Sequence, residues 1–352
     1  MTNNNNFLEV KELDSGFTFH VQFHITNACN LRCKHCYEGK QTKCVHWDFQ
    51  EFKSAIDKLW SSFQKWGVKG EISLIGGEPT LHPDFLECVN AAQNIGFKEQ
   101  IISTNGAFTN PVEMCSSPIS RFNISLDTID KELYKTLTNR DNLYQVLDNI
   151  TMVVDTGKLV KINCVVMKNN IDEIPAIIKK FSEYNANGCE KIVLRFIQFY
   201  PSNPNQLDVE GLNYWKGQYI TYDDIMDQVG RCHETEVVGD NPTFRYFELL
   251  DYPIKVGILA LYSWNYQCGG CLKMRVTPLG EASICLSDNK TFVLKGLSLD
   301  DKTKTIKEAM ERRETFNSRS RMHYNPNLGL FRFGLYGKEI TLSDLNDLIA
   351  LY

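Results

Sequence analysis

From about residue 19 onward, short apolar or β-branched runs alternate with longer segments whose apolar positions recur at helical spacing. Phe19 to Thr26 reads as a strand. Trp47 to Trp66 carries Phe52, Ile56, Leu59 and Phe63 on one helical face, with Asp48 placed to cap it. Glu71 to Ile75 reads as a strand, 83–95 as a helix, and Glu99 to Ser103 and Arg121 to Leu126 as strands. Helical runs follow at 130–138 and 142–156; the second sets Leu143, Val146, Leu147, Ile150 and Val154 on one face. Lys161 to Met167 is a β-branched run, and Ile171 to Tyr184 a helix with Ile174, Ile177, Ile178 and Phe181 inward. Ile192 to Phe199 is nearly unbroken in its apolarity, the pattern of a strand buried on both faces.

About six strand–helix units in succession predict an α/β fold with a parallel sheet and right-handed crossovers. The texture changes at Tyr200-Pro201-Ser202-Asn203-Pro204-Asn205, a Pro/Asn-rich connection. A short helix at 221–230, the segment Phe244 to Phe247, a hairpin-like stretch and a helix at 303–316 are expected beyond it. Gly-rich turns from Tyr324 then lead to a final helix carrying Leu342, Leu345, Leu348 and Ile349. The organisation is a tail (1–18), a core (19–233) and a smaller α+β portion (234–352), with no internal repeat beyond the alternation itself.

Of the 352 residues 43% are hydrophobic and 23% charged, enough for a sizeable core and ordinary for a soluble protein. A net charge of −5 offers no footprint for nucleic acid or an anionic membrane. Met1 to Asn6 lacks the apolar centre of a signal peptide and no stretch is apolar enough to span a bilayer, so a cytoplasmic protein is expected. Twelve cysteines in such a chain argue for metal ligation or free thiols rather than disulfides, and exposed metal clusters favour a low-oxygen cell.

Cys29, Cys33 and Cys36, spaced C-x₃-C-x₂-C, directly follow the first strand. Thiolates select iron–sulfur clusters or zinc. A cubane of four irons would find only three close ligands here and keep one iron open, whereas structural zinc wants a closed set of four. A zinc knuckle or simply buried cysteines are the alternatives. Chemistry-bearing residues also gather at the C-terminal ends of successive strands, where parallel α/β architectures bind ligands. These are Gly76-Gly77-Glu78-Pro79, Ser103-Thr104-Asn105, Ser125 and Tyr200. Taken alone, the glycine motif is an ordinary turn and each serine a satisfied hydroxyl.

The cysteine spacing followed by Tyr37 resembles the radical S-adenosylmethionine (SAM) superfamily. The resemblance implies a partial (βα)₆ barrel, a [4Fe–4S] cluster on Cys29, Cys33 and Cys36, and SAM on the open iron as the source of a 5′-deoxyadenosyl radical. It implies a SAM site built from His35, Tyr37, Gly76, Gly77, Glu78 and Pro79. Ser103, Thr104, Asn105, Ser125, Asn163 and Tyr200 complete that site, and Glu78 would take the SAM amino group.

A second group, Cys268, Cys271 and Cys285, again offers three thiolates. It reads as a second cluster with an open iron, as a zinc site completed by His323, or as half a redox pair. Phe244-Arg245-Tyr246-Phe247, Lys255 to Ile258 and Cys268 to Thr277 resemble the GTP 3′,8-cyclase branch of molybdenum-cofactor synthesis. So do Lys161-Ile162-Asn163 and Leu194-Arg195-Phe196. That likeness implies two [4Fe–4S] clusters, an auxiliary-cluster domain at the C-terminus, and substrate contacts from Thr104, Lys161, Arg195, Lys273 and Arg275. The cations near Cys271 would equally offset the charge of a thiolate-bound cluster.

Departures from the branch are Gln22 and Ser73 where it carries arginine, His82 after the G-G-E-P turn, and no terminal double glycine. Each arginine lost removes charge-assisted hydrogen bonds worth about 1.5–3 kcal/mol apiece. The reading is a radical SAM enzyme that abstracts hydrogen from a small molecule or peptide held near an auxiliary cluster. A GTP 3′,8-cyclase and a non-catalytic electron carrier or sensor are the alternatives. A low-potential donor, flavodoxin or ferredoxin, is the implied partner. The remaining cysteines (Cys44, Cys88, Cys115, Cys164, Cys189, Cys232) are expected to be buried.

Overall fold

The computed structural model describes residues 18–36, 38, 43–66, 69–186, 190–199, 209–235, 244–260 and 273–283, with strand segments at 292–293, 330–333 and 338–341. Tyr37, Tyr200, Cys189, Cys268, Cys271 and Cys285 lie outside the described residues. So do the helices expected at 303–316 and after 342.

Six parallel strands form the centre: β1 (Thr18–Thr26), β2 (Lys69–Gly76), β3 (Gln100–Thr104), β4 (Arg121–Ser125), β5 (Leu159–Val166) and β6 (Ile192–Gln198), in sequence order. Helices connect them: α1 (Phe49–Trp66), α2 (Phe85–Ile95), α3 (Pro111–Ser116), α4 (Lys131–Thr138), α5 (Leu143–Asp155) and α6 (Ile174–Ser182). The expected units are thus present, and the short α3, opened by Pro111 in its first turn, is an addition. Asp48 caps α1, its Oδ1 accepting from the Gln50 and Glu51 amides at 2.9 and 3.1 Å.

After β6 come α7 (Val209–Gln218), which the hydrophobic pattern did not announce, and α8 (Tyr222–Val229), which it did. The strands that follow do not form a separate sheet. β7 (Cys232–Thr235), β8 (Arg245–Leu249) and β9 (Lys255–Leu259) add beyond β6, while β10 (Lys273–Val276), β11 (Glu281–Ser283) and β12 (Phe292–Val293) add beyond β1. β9 runs parallel to β6 and β10 parallel to β1. The hairpin-like stretch expected around the second cysteine group is the antiparallel pair β10–β11, which falls between Cys271 and Cys285 and is closed by the Gly280 amide donating to the Thr277 carbonyl at 2.9 Å. β13 (Leu330–Phe333) and β14 (Lys338–Thr341) pair in a small separate hairpin.

Alternation along each strand divides the sheet into an apolar and a polar face. On β1, Val21, Phe23 and Ile25 are fully buried against Phe52, Ile56 and Phe63 of α1. His20 and Gln22, between them, face the hollow that the curled sheet encloses. On β4 the same parity sends Phe122 and Ile124 to the helices and Arg121, Asn123 and Ser125 to the hollow. No helix among the described residues is long and apolar enough to cross a membrane.

Candidate functional site

One cavity of about 380 Å³ occupies that hollow, and the two flanking strands meet across it: Phe244 and Leu259 line one side, Lys273 and Arg275 the other. The sheet is therefore a half-closed barrel with a polar lumen, which is where a ligand can be both enclosed and hydrogen-bonded.

The cysteine loop forms one wall, with Cys29, Cys33 and Cys36 all lining the cavity and all partly exposed. Its course is set by backbone docking. The Gly77 amide donates to the Thr26 carbonyl at 2.9 Å and the Glu78 amide to the Ala28 carbonyl at 2.6 Å. Only glycine permits this approach, because a Cβ at Gly76 would lie 2.2 Å from the Thr26 carbonyl oxygen and one at Gly77 2.4 Å from that of Ala28. On its other side the loop pairs with the end of α4, the Arg32 and Lys34 amides donating to the Thr138 and Leu137 carbonyls at 3.0 Å each. Asn105 completes the fastening, its Nδ2 donating to Asn30 Oδ1 at 2.7 Å.

Electrostatics make this loop want a cation. Burial pushes the Cys29 thiol pKa up. Burial, then the Asp127 carboxylate, then the neighbouring Cys36 and Cys29 push Cys33 well above its usual range. Cys29 and Cys33, held near Cys36 and resisting ionisation alone, suit a metal cluster whose positive charge would displace their protons. The donor set therefore fits a [4Fe–4S] cluster. His35, inside the loop, lies 3.0 Å from Asp127 through Nε2, both groups being about nine-tenths buried. Burial would lower the His35 pKa, but the charge and hydrogen bond of Asp127 outweigh it and raise it. Asp127 is itself fixed, accepting from the Val165 amide at 2.8 Å.

Gly76, Gly77, Ser103, Thr104 and Asn105 line the cavity beside the cysteines, as do Ser125, Asn163 and His35. Glu78 and Pro79 do not. The Glu78 carboxylate is fully buried and accepts from Thr80 Oγ1 (2.7 Å), the Thr80 amide (3.2 Å), Thr104 Oγ1 (2.8 Å) and the Asn105 amide (2.7 Å). Its pKa is raised by burial, against the pull of those donors. The structure differs here from the expectation that Glu78 offers its charge to an ammonium: the carboxylate braces the motif against β3, and Gly76 and Gly77 face the ligand space.

Cations reach the cavity from β4, β6 and β10. Arg121, Arg195, Lys273 and Arg275 line the cavity. Arg195 is 6% exposed, donates from Nε to the Tyr246 hydroxyl at 2.9 Å, and lies 4.6 Å from the Phe244 ring centre. Lys161 is buried beside it on β5, its Nζ 6.0 Å from the centre of the Tyr246 ring, and is not itself on the cavity surface.

The local reading missed Arg121, Asn123, His20 and Asp127. The buried Gln22 Oε1, Asn123 Oδ1 and Asn163 Oδ1 meet no partner among the described residues, so three acceptors border the same space. Polar residues at every second position of a strand in a parallel sheet are the mark that could have found them. The scattered cysteines divide: Cys88 and Cys164 are buried and Cys115 and Cys232 half-buried, but Cys44 is exposed, its Sγ 3.0 Å from His46 Nε2. The expectation of burial is corrected for Cys44, which sits in the surface connection after β1 rather than on an element with an inward face.

Comparison with known proteins agrees with this arrangement. The model of the radical SAM superfamily matches residues 23–181. The GTP 3′,8-cyclase of Marinobacter nauticus is 30% identical over 284 residues, covering 78% of this chain and 81% of its own. That of Limosilactobacillus fermentum is 29% identical over 290 residues, covering 80% and 83%. Among solved structures, Streptococcus suis SuiB bound to the precursor peptide SuiA superposes with a TM-score of 0.56 at 15% identity, over 84% of this chain and 66% of that one, a likeness of fold. A half-closed barrel with its three-cysteine loop at the cavity mouth, and cyclase relatives spanning most of its length, place this chain in the radical SAM superfamily, in the branch of the GTP 3′,8-cyclases, as an enzyme that works with SAM and two [4Fe–4S] clusters.

Proposed function

We propose that this enzyme acts on a guanine nucleotide in the manner its GTP 3′,8-cyclase relatives are named for. The carrying observation is that one cavity joins the cysteine loop, the strand-end hydroxyls and amides, and four cationic side chains. Arg195, nearly fully buried yet on the cavity wall, adds a guanidinium suited to a nucleotide phosphate.

Cys29, Cys33 and Cys36 would hold the first cluster, and Cys268, Cys271 and Cys285 the second. The first two of the latter fall between β9 and β10, whose Leu259 and Lys273 both border the cavity. When bound, the cluster and SAM supply a 5′-deoxyadenosyl radical able to take a hydrogen atom from substrate. The chain's own residues do the positioning. Gly76, Gly77, Ser103, Asn105, Ser125 and Asn163 border the SAM side. Arg195, Lys273 and Arg275 offer charge to an anion in the cavity, with Lys161 buried beside Arg195 and Thr104 on the cysteine side. The oxygens of Gln22 and Asn123, without a partner among the described residues, can accept from donors on the substrate. The apolar rim of Ile75, Val165 and Ile197 keeps water from the space between.

A second reading, hydrogen abstraction from another small molecule or a peptide, is favoured by one observation. At the β1–β2 wall, where the branch carries arginines, this chain has Gln22 and Ser73, and Ser73 Oγ is held at 2.9 Å by His20 Nε2, with Glu71 3.8 Å from the same ring. Anaerobically reconstituted enzyme with SAM, dithionite and GTP deuterated at C3′ tests the choice. Deuterium in 5′-deoxyadenosine supports the cyclase reading. Unlabelled 5′-deoxyadenosine beside intact GTP moves the assignment to the second reading, and no cleavage of SAM overturns both.

A further inference from the structure

Two rows of side chains cross three neighbouring strands on the lumen face. Lys273 of β10, His20 of β1 and Glu71 of β2 stand in register, as do Arg275, Gln22 and Ser73. With strands about 5 Å apart, each row spans about 10 Å and runs from a cation on β10 to an acid or a hydroxyl on β2. The first row is fastened: His20 Nε2 lies 2.9 Å from Ser73 Oγ, and Nδ1 of the same ring 3.8 Å from a Glu71 carboxylate oxygen. Glu71 and Ser73 are both buried, while His20 and Gln22 reach the cavity surface. The β1–β2 corner therefore sets a negative charge directly behind the wall, and Gln22 Oε1 gives the wall itself an acceptor. Around the cavity as a whole, four cations (Arg121, Arg195, Lys273 and Arg275) face two carboxylates (Glu38 and Asp127). Behind them Lys161 and Glu71 add one charge of each sign, which leaves a surplus of two positive charges.

We propose that Glu71 is a specificity residue that fixes the phosphate count of the substrate: the cavity takes guanosine monophosphate in preference to the triphosphate. The inference rests on the reading that the substrate is a guanine nucleotide. A terminal phosphate carries about −2 near neutral pH, which the surplus matches. Every further phosphate in a chain adds a charge that the cavity has nothing left to offset. A single phosphate can settle on Arg195, Lys273 and Arg275. A chain of three, reaching on from β10 toward β2, meets the Glu71 carboxylate where burial leaves little water to screen it. The uncharged part of the nucleotide suits that corner instead, because its N–H and O–H groups can donate to Gln22 Oε1.

The test is the affinity of guanosine, GMP, GDP and GTP for anaerobically reconstituted enzyme with SAM bound, measured by titration calorimetry with and without magnesium. GMP should bind tightest, each added phosphate should weaken binding, and GTP should fall at least about tenfold below GMP in both buffers. Guanosine should also bind more weakly than GMP, because it gives the cations no anion. In Glu71→Gln, similar in volume and uncharged, GTP should regain about tenfold on GMP. Glu71→Asp should keep the wild-type order. A merely structural role for Glu71 would instead lower all four affinities together. GTP binding to wild type as tightly as GMP would overturn the proposal, as would an unchanged GMP-to-GTP ratio in Glu71→Gln of full iron content. Should that variant fail to load, the wild-type series decides alone. Binding of none of the four, while dithionite still drives SAM cleavage, would remove the nucleotide reading itself and this inference with it.

Discussion

His24 illustrates how a single side chain carries the cost of a polar lumen. It lies on β1 with 5% exposure, its Nδ1 3.2 Å from Glu38 Oε1, yet burial and then the Arg275 charge push its pKa down to about 3. The ring is therefore neutral in the folded protein and meets Glu38 as a hydrogen-bonding imidazole. Below the ordinary value of 6.5 the unfolded chain takes up a proton that the folded one refuses. Stability from this residue is thus complete above pH 6.5 and is lost as pH falls toward 3, by up to about 1.4 kcal/mol per pH unit. Urea unfolding at pH 7 and pH 5 should differ by about 2 kcal/mol more in wild type than in His24→Gln. The type of residue at each such position was legible in the sequence. The charge state was not, because it depends first on burial in the folded sheet and then on Arg275, which arrives from a strand 251 positions later (275 − 24).

Among the elements, the junction between the end of β2 and the cysteine loop has the least slack. The Gly77→Ala variant must move a carbonyl that a Cβ would approach to 2.4 Å, breaking the amide contacts to Thr26 and Ala28. Purified anaerobically, it should bind less iron per chain and SAM more weakly, and lose about 2–4 kcal/mol of stability. Gly217→Ala is the control: it sits in α7 with nothing within 4 Å of a Cβ, and should be neutral or stabilising by about 0.5–1 kcal/mol. The G-G-E-P string reads as a turn at a strand end, and so it is. What the string conceals is the destination of Glu78, whose four donors come from its own turn and from the end of β3.

For the whole molecule, the sheet is laid down from its middle outward. β1 to β6 are each covered by helices and paired on both sides, whereas β7 and β12 are edge strands. Amide hydrogen exchange should therefore be slowest in β1–β6 and faster by orders of magnitude in β7–β8 and β11–β12, and the reverse order would refute this architecture. The sequence by itself determined the strand–helix alternation, the apolar face of each element, and the three closely spaced thiols, because these are local periods and spacings that the backbone translates directly into faces and loops. Only the tertiary structure decided that β9 and β10 attach to opposite ends of the sheet, that Asp127 fastens His35, and that cations from β4, β6 and β10 border one cavity with the cysteines. Those are pairings between residues distant in the chain, set by which strands meet when the sheet curls, and no local pattern encodes them.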